Sequence, residues 1–267
     1  SYTGNRPAYL KKPAGHAVSS NPNTLQWNAA GWQVAGKGIK LINGVYANEK
    51  LNNKLPNTYF DGSHMVFSAI NATLENFSFL KDTLSAQINL QTNERGGLQV
   101  KKLKAYFKFT PDIMEFSNLD LQTNKSRLGN YYAMHFNSFG KDMGNFIEKV
   151  TLELHLKSSE VNSDDIAVFA PALKNWKKVF QISGDAKGTI QDFKAKNLLV
   201  STGNSSFNGN LSMAGLPDLN STFIDLKATE LQTNHNDLSL IIPGIKNSKV
   251  AFHKLGKIKY TGTFTGF

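Results

Sequence analysis

KVTLELHLKSS, Lys149 to Ser159, alternates apolar and polar residues without interruption. Val150, Leu152, Leu154 and Leu156 take one side, and Thr151, Glu153, His155 and Lys157 the other. Successive side chains of an extended chain point to opposite faces, so the stretch describes a strand with one apolar and one polar side. Either a second layer of the same chain covers that apolar side, as in a sandwich, or something outside the chain does. Which of the two applies decides the fold and bears directly on the function.

The same pattern extends outward from this stretch. Short alternating segments such as HMVFSAINATLENFSF, DTLSAQINLQTN, LQVKKLKAYFKFT, MEFSNLDLQTN, FKAKNLLVST and STFIDLKATEL are separated by NERGG, TPD, TGNSS and GLPDLNS. These breaks are rich in the residues that favour turns. In Thr83–Gln91 the face Leu84, Ala86, Ile88 and Leu90 matches that of the opening stretch. In FQISGDAKGTIQ, Phe180, Ile182 and Ile190 extend it. The expectation is an all-β protein, an elongated curled antiparallel sheet with a few short helices in its connections.

Two of those connections resemble each other. SDDIAVFAPAL (Ser163–Leu173) places capping residues before an apolar turn that a proline ends, and NDLSLIIPGI (Asn236–Ile245) has the same layout. Asp165 is spaced from Pro171 as Asp237 is from Pro243, and a Gly-x-x-x-Gly strand follows each, Gly184/Gly188 and Gly262/Gly266. A second echo pairs NLDLQTNKSRLGNY with NLLVSTGNSSFNGNL. The chain reads as one continuous body, residues 1–267, built on degenerate repeats of about 75–80 residues, roughly 32–160, 161–235 and 236–267 onward.

The composition argues against several functions. There is no cysteine, which removes disulfides, thiol nucleophiles and cysteine metal sites. The net charge of +10 invites a polyanion, but Lys101, Lys102, Lys104 and Lys108 fall on polar strand positions with no nucleic-acid motif beside them. No apolar run is long enough to span a membrane as a helix. GWQVAGKG (Gly31–Gly38) has phosphate-loop spacing, yet Gly38 replaces the Ser/Thr that would hold magnesium and no helical run follows. The histidines at 16, 64, 135, 155, 235 and 253 show no metal-ligand spacing. Asp164-Asp165 reads as helix capping and not as an acid–base pair. DGSHM (Asp61–Met65) reads as native strand sequence. No catalytic residue, metal or cofactor is expected. The ends, SYTGNRPAYLKKP and GKIKYTGTFTGF, suggest a piece of a longer protein.

The chain resembles the AsmA/TamB superfamily, in particular the TamB-type translocation and assembly proteins of Bacteroidetes-like bacteria. The resemblance covers roughly residues 32–267. WQVAGKGIKLINGVY, FDGSHMVFSAINATLENFSFLKDTLSAQI, GGLQVKKLKAYFKFTPDIMEFSNLDLQTNKSRLGNYY, the stretch from DDIAVFAPALKNW to ATELQTN and IKYTGTFTGF carry it. These are strand-and-turn signatures, not catalytic ones. The resemblance implies an open trough with an apolar inner face, in the periplasm of a Gram-negative bacterium. The full-length protein would be anchored in the inner membrane and would meet an outer-membrane insertase of the BamA superfamily through segments this chain lacks. Phospholipid acyl chains would be carried along Leu84, Ala86, Ile88, Leu90, Val150, Leu152, Leu154, Leu156, Phe180, Ile182 and Ile190, supporting outer-membrane biogenesis. The alternative is a chaperone-like module that assists outer-membrane protein assembly by pairing client strands with a free sheet edge. A weaker option stacks sugars on Trp27, Trp32 and Trp176.

Overall fold

The structure is a computed structural model and describes residues 26–49, 58–61, 64–216, 218, 221–241, 254 and 256–266. Pro243, Ile245 and both chain ends lie outside these. Twelve strands form one sheet in chain order, each antiparallel to the next. They are β1 (Val34–Glu49), β2 (His64–Leu80), β3 (Thr83–Glu94), β4 (Gln99–Phe109), β5 (Ile113–Gln122) and β6 (Arg127–His135). Next come β7 (Thr151–Asn162), β8 (Val179–Gly188), β9 (Asp192–Thr202), β10 (Ser205–Ala214), β11 (Phe223–Asn234) and β12 (Lys257–Gly266). The sheet is a curled, open trough.

Odd strands run one way and even strands the other, so the connections form two rims. The lower rim carries α1 (Phe139–Met143) and α2 (Phe146–Lys149) between β6 and β7. The upper rim carries α3 (Ser163–Ile166) and a 3-10 turn (Pro171–Leu173) between β7 and β8. Also on this rim, α4 (His235–Ile241) follows β11. Pro171 opens its short helix at the first position, where a missing N–H costs nothing, and does not end the preceding one as expected. The caps differ from expectation too. Asn162 accepts the Asp164 N–H at 2.9 Å and Asn234 accepts that of Asp237 at 3.0 Å.

Asp165 serves a neighbouring turn instead. Its Oδ2 accepts from the Thr123 hydroxyl, from the Ser126 hydroxyl at 2.7 Å and from the Lys125 N–H at 3.1 Å. Asp237 has the corresponding role at the next upper-rim helix, accepting from the Ser205 hydroxyl at 2.5 Å and from the Lys178 ammonium at 2.6 Å. Ser126 and Ser205 occupy matching places in the two echoing segments. Each aspartate staples a helical link onto a strand turn. Buried carboxylates need such donors, and here the donors are hydroxyls, the Lys125 backbone amide, the Asn234 side-chain amide and one ammonium.

A crease crosses the sheet. Every neighbouring strand pair has a register shift, and from β4 to β12 the shifts line up near Ala105, Asn118, Asn130, Ser158, Gly184, Asn197, Gly209, Thr229 and Gly262. Between β1 and β4 the line lies about three residues nearer the upper rim, by Asn43, Ala69 and Gln91. A bulge adds one residue to one strand of a pair and bends it. Aligned across many strands, bulges fold a sheet lengthwise.

Candidate functional site

Because the strands lie side by side, paired residues build rows along the crease. One row runs through every strand: Val34, Phe79, Leu84, Phe109, Met114, Met134, Leu152, Gly188, Phe193, Met213, Ile224 and Gly266. It contains no polar side chain. The next row, from Ala86 through Phe107, Phe116, Tyr132, Leu154, Ala186, Ala195, Leu211 and Leu226 to Phe264, is apolar apart from one phenol. Beyond the crease, Ile182, Val200, Phe207, Leu231 and Tyr260 form a third. At the usual interstrand spacing, twelve strands make a groove about 50 Å long.

Among the described residues no second layer covers it. Among the described residues the buried apolar side chains are Ala72, Ala86, Ala105, Leu119, Ala133, Phe136, Val150, Ala195 and Ala228, mostly alanines. Leu152, Leu154 and Leu156 are only half-buried, as are Phe107, Phe116 and Tyr132. A sandwich of this size would enclose its leucines and phenylalanines between sheets about 10 Å apart. The aromatics instead pack sideways along the rows, Phe107 to Phe116 at 5.2 Å and Phe116 to Tyr132 at 6.1 Å between ring centroids. Burial among these neighbours raises the Tyr132 phenol well above its ordinary pKa, so it stays neutral.

The opposite face is polar and paired. Lys108, Glu115, Ala133, Glu153, Lys187 and Lys194 follow one another across β4 to β9. Glu153 is the hub, 2.7 Å from Lys187, 2.9 Å from His135 and 3.2 Å from His155. His155 reaches Asp185 at 2.7 Å. The Lys187 hydrogen bond, helped by both histidines, holds the Glu153 carboxyl down to about 2. Asp185, then Glu153, raise the His155 imidazole.

Leu84, Ile88, Leu90, Leu152, Leu154, Leu156, Phe180 and Ile182 are half-buried strand residues of the apolar side. Ala86 shares their row but is fully covered by its neighbours. Val150 corrects the expectation, because it is the C-cap of α2 and is 0% exposed, so it anchors the rim and lines nothing. Ile190 is a second correction, lying in the turn between β8 and β9 and not on a strand. The rows also take in aromatic and methionine side chains beyond the leucine-type pattern, and Phe107 and Phe109 flank Lys108 with the same period of two.

The rims add aromatics. On the lower rim Trp27 meets Phe109 at 4.4 Å, and Phe139 meets Phe109 at 5.1 Å and Phe136 at 5.2 Å. On the upper rim Phe60 packs on Phe169 at 5.1 Å and donates its N–H to the Val168 carbonyl at 2.8 Å, while Trp176 packs on Phe180. Trp176 is thus half-buried against a phenylalanine, while Trp27, despite its contact with Phe109, is 41% exposed and Trp32 is 48% exposed. Glu94, at the end of β3 opposite Phe67, is buried with one carboxylate oxygen accepting the Gly96 N–H and the other unpaired. GWQVAGKG runs into the exposed strand β1, not into a helix. Among the described residues no helix is long and apolar enough to cross a membrane, and no cluster of metal-ligating side chains occurs. No protein-family model, curated protein or solved structure matches the chain.

Proposed function

We propose that the groove shelters lipid acyl chains and lets them slide along it. The observation that carries this reading is the row from Val34 to Gly266, apolar in all twelve strands and with no second sheet over it among the described residues. Each buried methylene gains about 0.8 kcal/mol, so an acyl chain of ~16 carbons gains on the order of 10 kcal/mol on entering. A row of similar apolar groups keeps that gain nearly level along the path, so no position becomes a deep trap. Head groups stay in water at the open mouth. The resemblance to the AsmA/TamB superfamily supports the same role, a periplasmic bridge that carries phospholipid between inner and outer membranes. Protein purified from a Gram-negative host and extracted with organic solvent should yield phospholipid by mass spectrometry. A lipid-free preparation that also fails to take up added phospholipid overturns the proposal.

A second reading rests on β1. Among the described residues it is an edge strand, 16 residues long and almost wholly exposed, with Ile42 and Val45 at 68% and 69%. Unpaired backbone on such an edge accepts an extended client chain, which is the chaperone-like role. Photo-crosslinkers at Ile42 and Leu154 separate the two. Barrel-precursor adducts at Ile42 favour the chaperone, and lipid adducts at Leu154 favour the conduit.

A further inference from the structure

The crease has the construction of a hinge. Eight strands place a residue with left-handed backbone there: Asn43, Ala69, Asn118, Asn130, Ser158, Gly184, Asn197 and Gly262. Four of the eight are asparagines, the residue after glycine that best tolerates this conformation. A bulge takes backbone groups out of the sheet ladder, and those groups need other partners.

Side chains from the adjacent strand supply them. Asn43 N–H donates to Asn71 Oδ1 at 3.1 Å, Gly129 N–H to Ser159 Oγ at 3.2 Å and Ser158 N–H to Ser183 Oγ at 3.0 Å. Asn197 N–H donates to Asn210 Oδ1 at 3.1 Å, and Asn130 Nδ2 donates to the His155 carbonyl at 3.0 Å. Asn43, Ser158, Asn197 and Asn210 are exposed. Water can therefore replace the Asn43, Ser158 and Asn197 bonds singly when the angle between the walls changes, whereas the Ser159 hydroxyl is fully buried. The ladders on either side have no such option, since bending there breaks backbone pairs together.

We propose that the crease is a hinge line along which the two walls open and close, setting the groove's width to its cargo. The use assigned to it rests on the acyl-chain reading; the hinge itself does not. The absence of cysteine allows clean spin labelling at Ser206→Cys and Ala214→Cys, exposed residues on β10 either side of the crease at Gly209. Electron–electron distances should shift by several ångström when palmitate is added. In lipid-free protein Asn210→Ala, which removes one crease bond, should broaden the distribution, and Asn208→Ala should not. Palmitate bound with no change in distance overturns the cargo-set width and leaves the conduit standing. A lipid-free distribution that Asn210→Ala leaves as narrow as before overturns the hinge, whether or not palmitate binds.

Discussion

Gly184 lies against the backbone of Asn197 on the next strand along the crease, so closely that a Cβ on residue 184 would sit 2.8 Å from the Asn197 carbonyl oxygen. Both residues are left-handed, with φ of +138° and +51°. Gly184→Ala is expected to cost roughly 2 kcal/mol or more, combining backbone strain with a clash against backbone. Gly203→Ala is the comparison. Its φ is +52° but a Cβ there meets nothing, so only the left-handed penalty of about 1 kcal/mol applies. Chemical denaturation of the two variants measures the difference, and equal losses would refute the close approach.

Leu154→Asp tests what covers the apolar side. Leu154 is half-buried between Tyr132 and Ala186, so an aspartate there can reach water. The expected loss is about 1–2 kcal/mol, well below the several expected in an enclosed core. Phospholipid recovered from the purified variant should fall sharply while the thermal transition persists. Unfolding of the variant at ambient temperature would point to a covered face. The neighbouring His155 makes a poor control, because a carboxylate there would join Glu153 and Asp185. Ser201→Asp, exposed opposite Gln181 and Ser206, is the better one.

Removing the Asp165 staple should loosen the upper rim. Asp165→Ala leaves the Ser126 hydroxyl and the Lys125 amide without their acceptor and is expected to cost about 2–3 kcal/mol. Asp165→Asn keeps an acceptor oxygen and should recover some of that loss. Hydrogen exchange should rise first in the β5–β6 turn and in α3. A uniform rise across all twelve strands would refute a local staple.

The polar-face cluster predicts a pH dependence. Glu153 is lowered from 4.5 to about 2, so its contribution is present above pH 4.5 and fades as the pH falls towards 2. His155 is raised above 6.5, so its contribution is complete below pH 6.5 and fades as the pH climbs through the raised value. The cluster therefore contributes most between about pH 4.5 and 6.5. His155→Gln should lower the melting temperature more at about pH 5.5 than at about pH 9, and an equal effect at both would refute the assignment.

The alternation from Val150 to Leu156, and its copies along the chain, determined that this is an all-β protein with one apolar and one polar face. That information is local, since side-chain direction along a strand depends only on position parity. The echoes around Asp165 and Asp237 were legible for the same reason, as short motifs at matched spacing. Tertiary structure decided the rest. Ile190 continues an apolar pattern but falls in a turn, and Val150 begins one but is the buried C-cap of α2, because chain reversal and helix capping break the parity there. The crease was invisible in the sequence. Asn130 and Asn197 look like ordinary polar strand residues until pairing places each beside the bulge of its neighbour. Whether the apolar side meets a second layer is likewise a question of long-range pairing. Twelve strands add edge to edge and none folds back, so the leucines of β7 remain open to the groove.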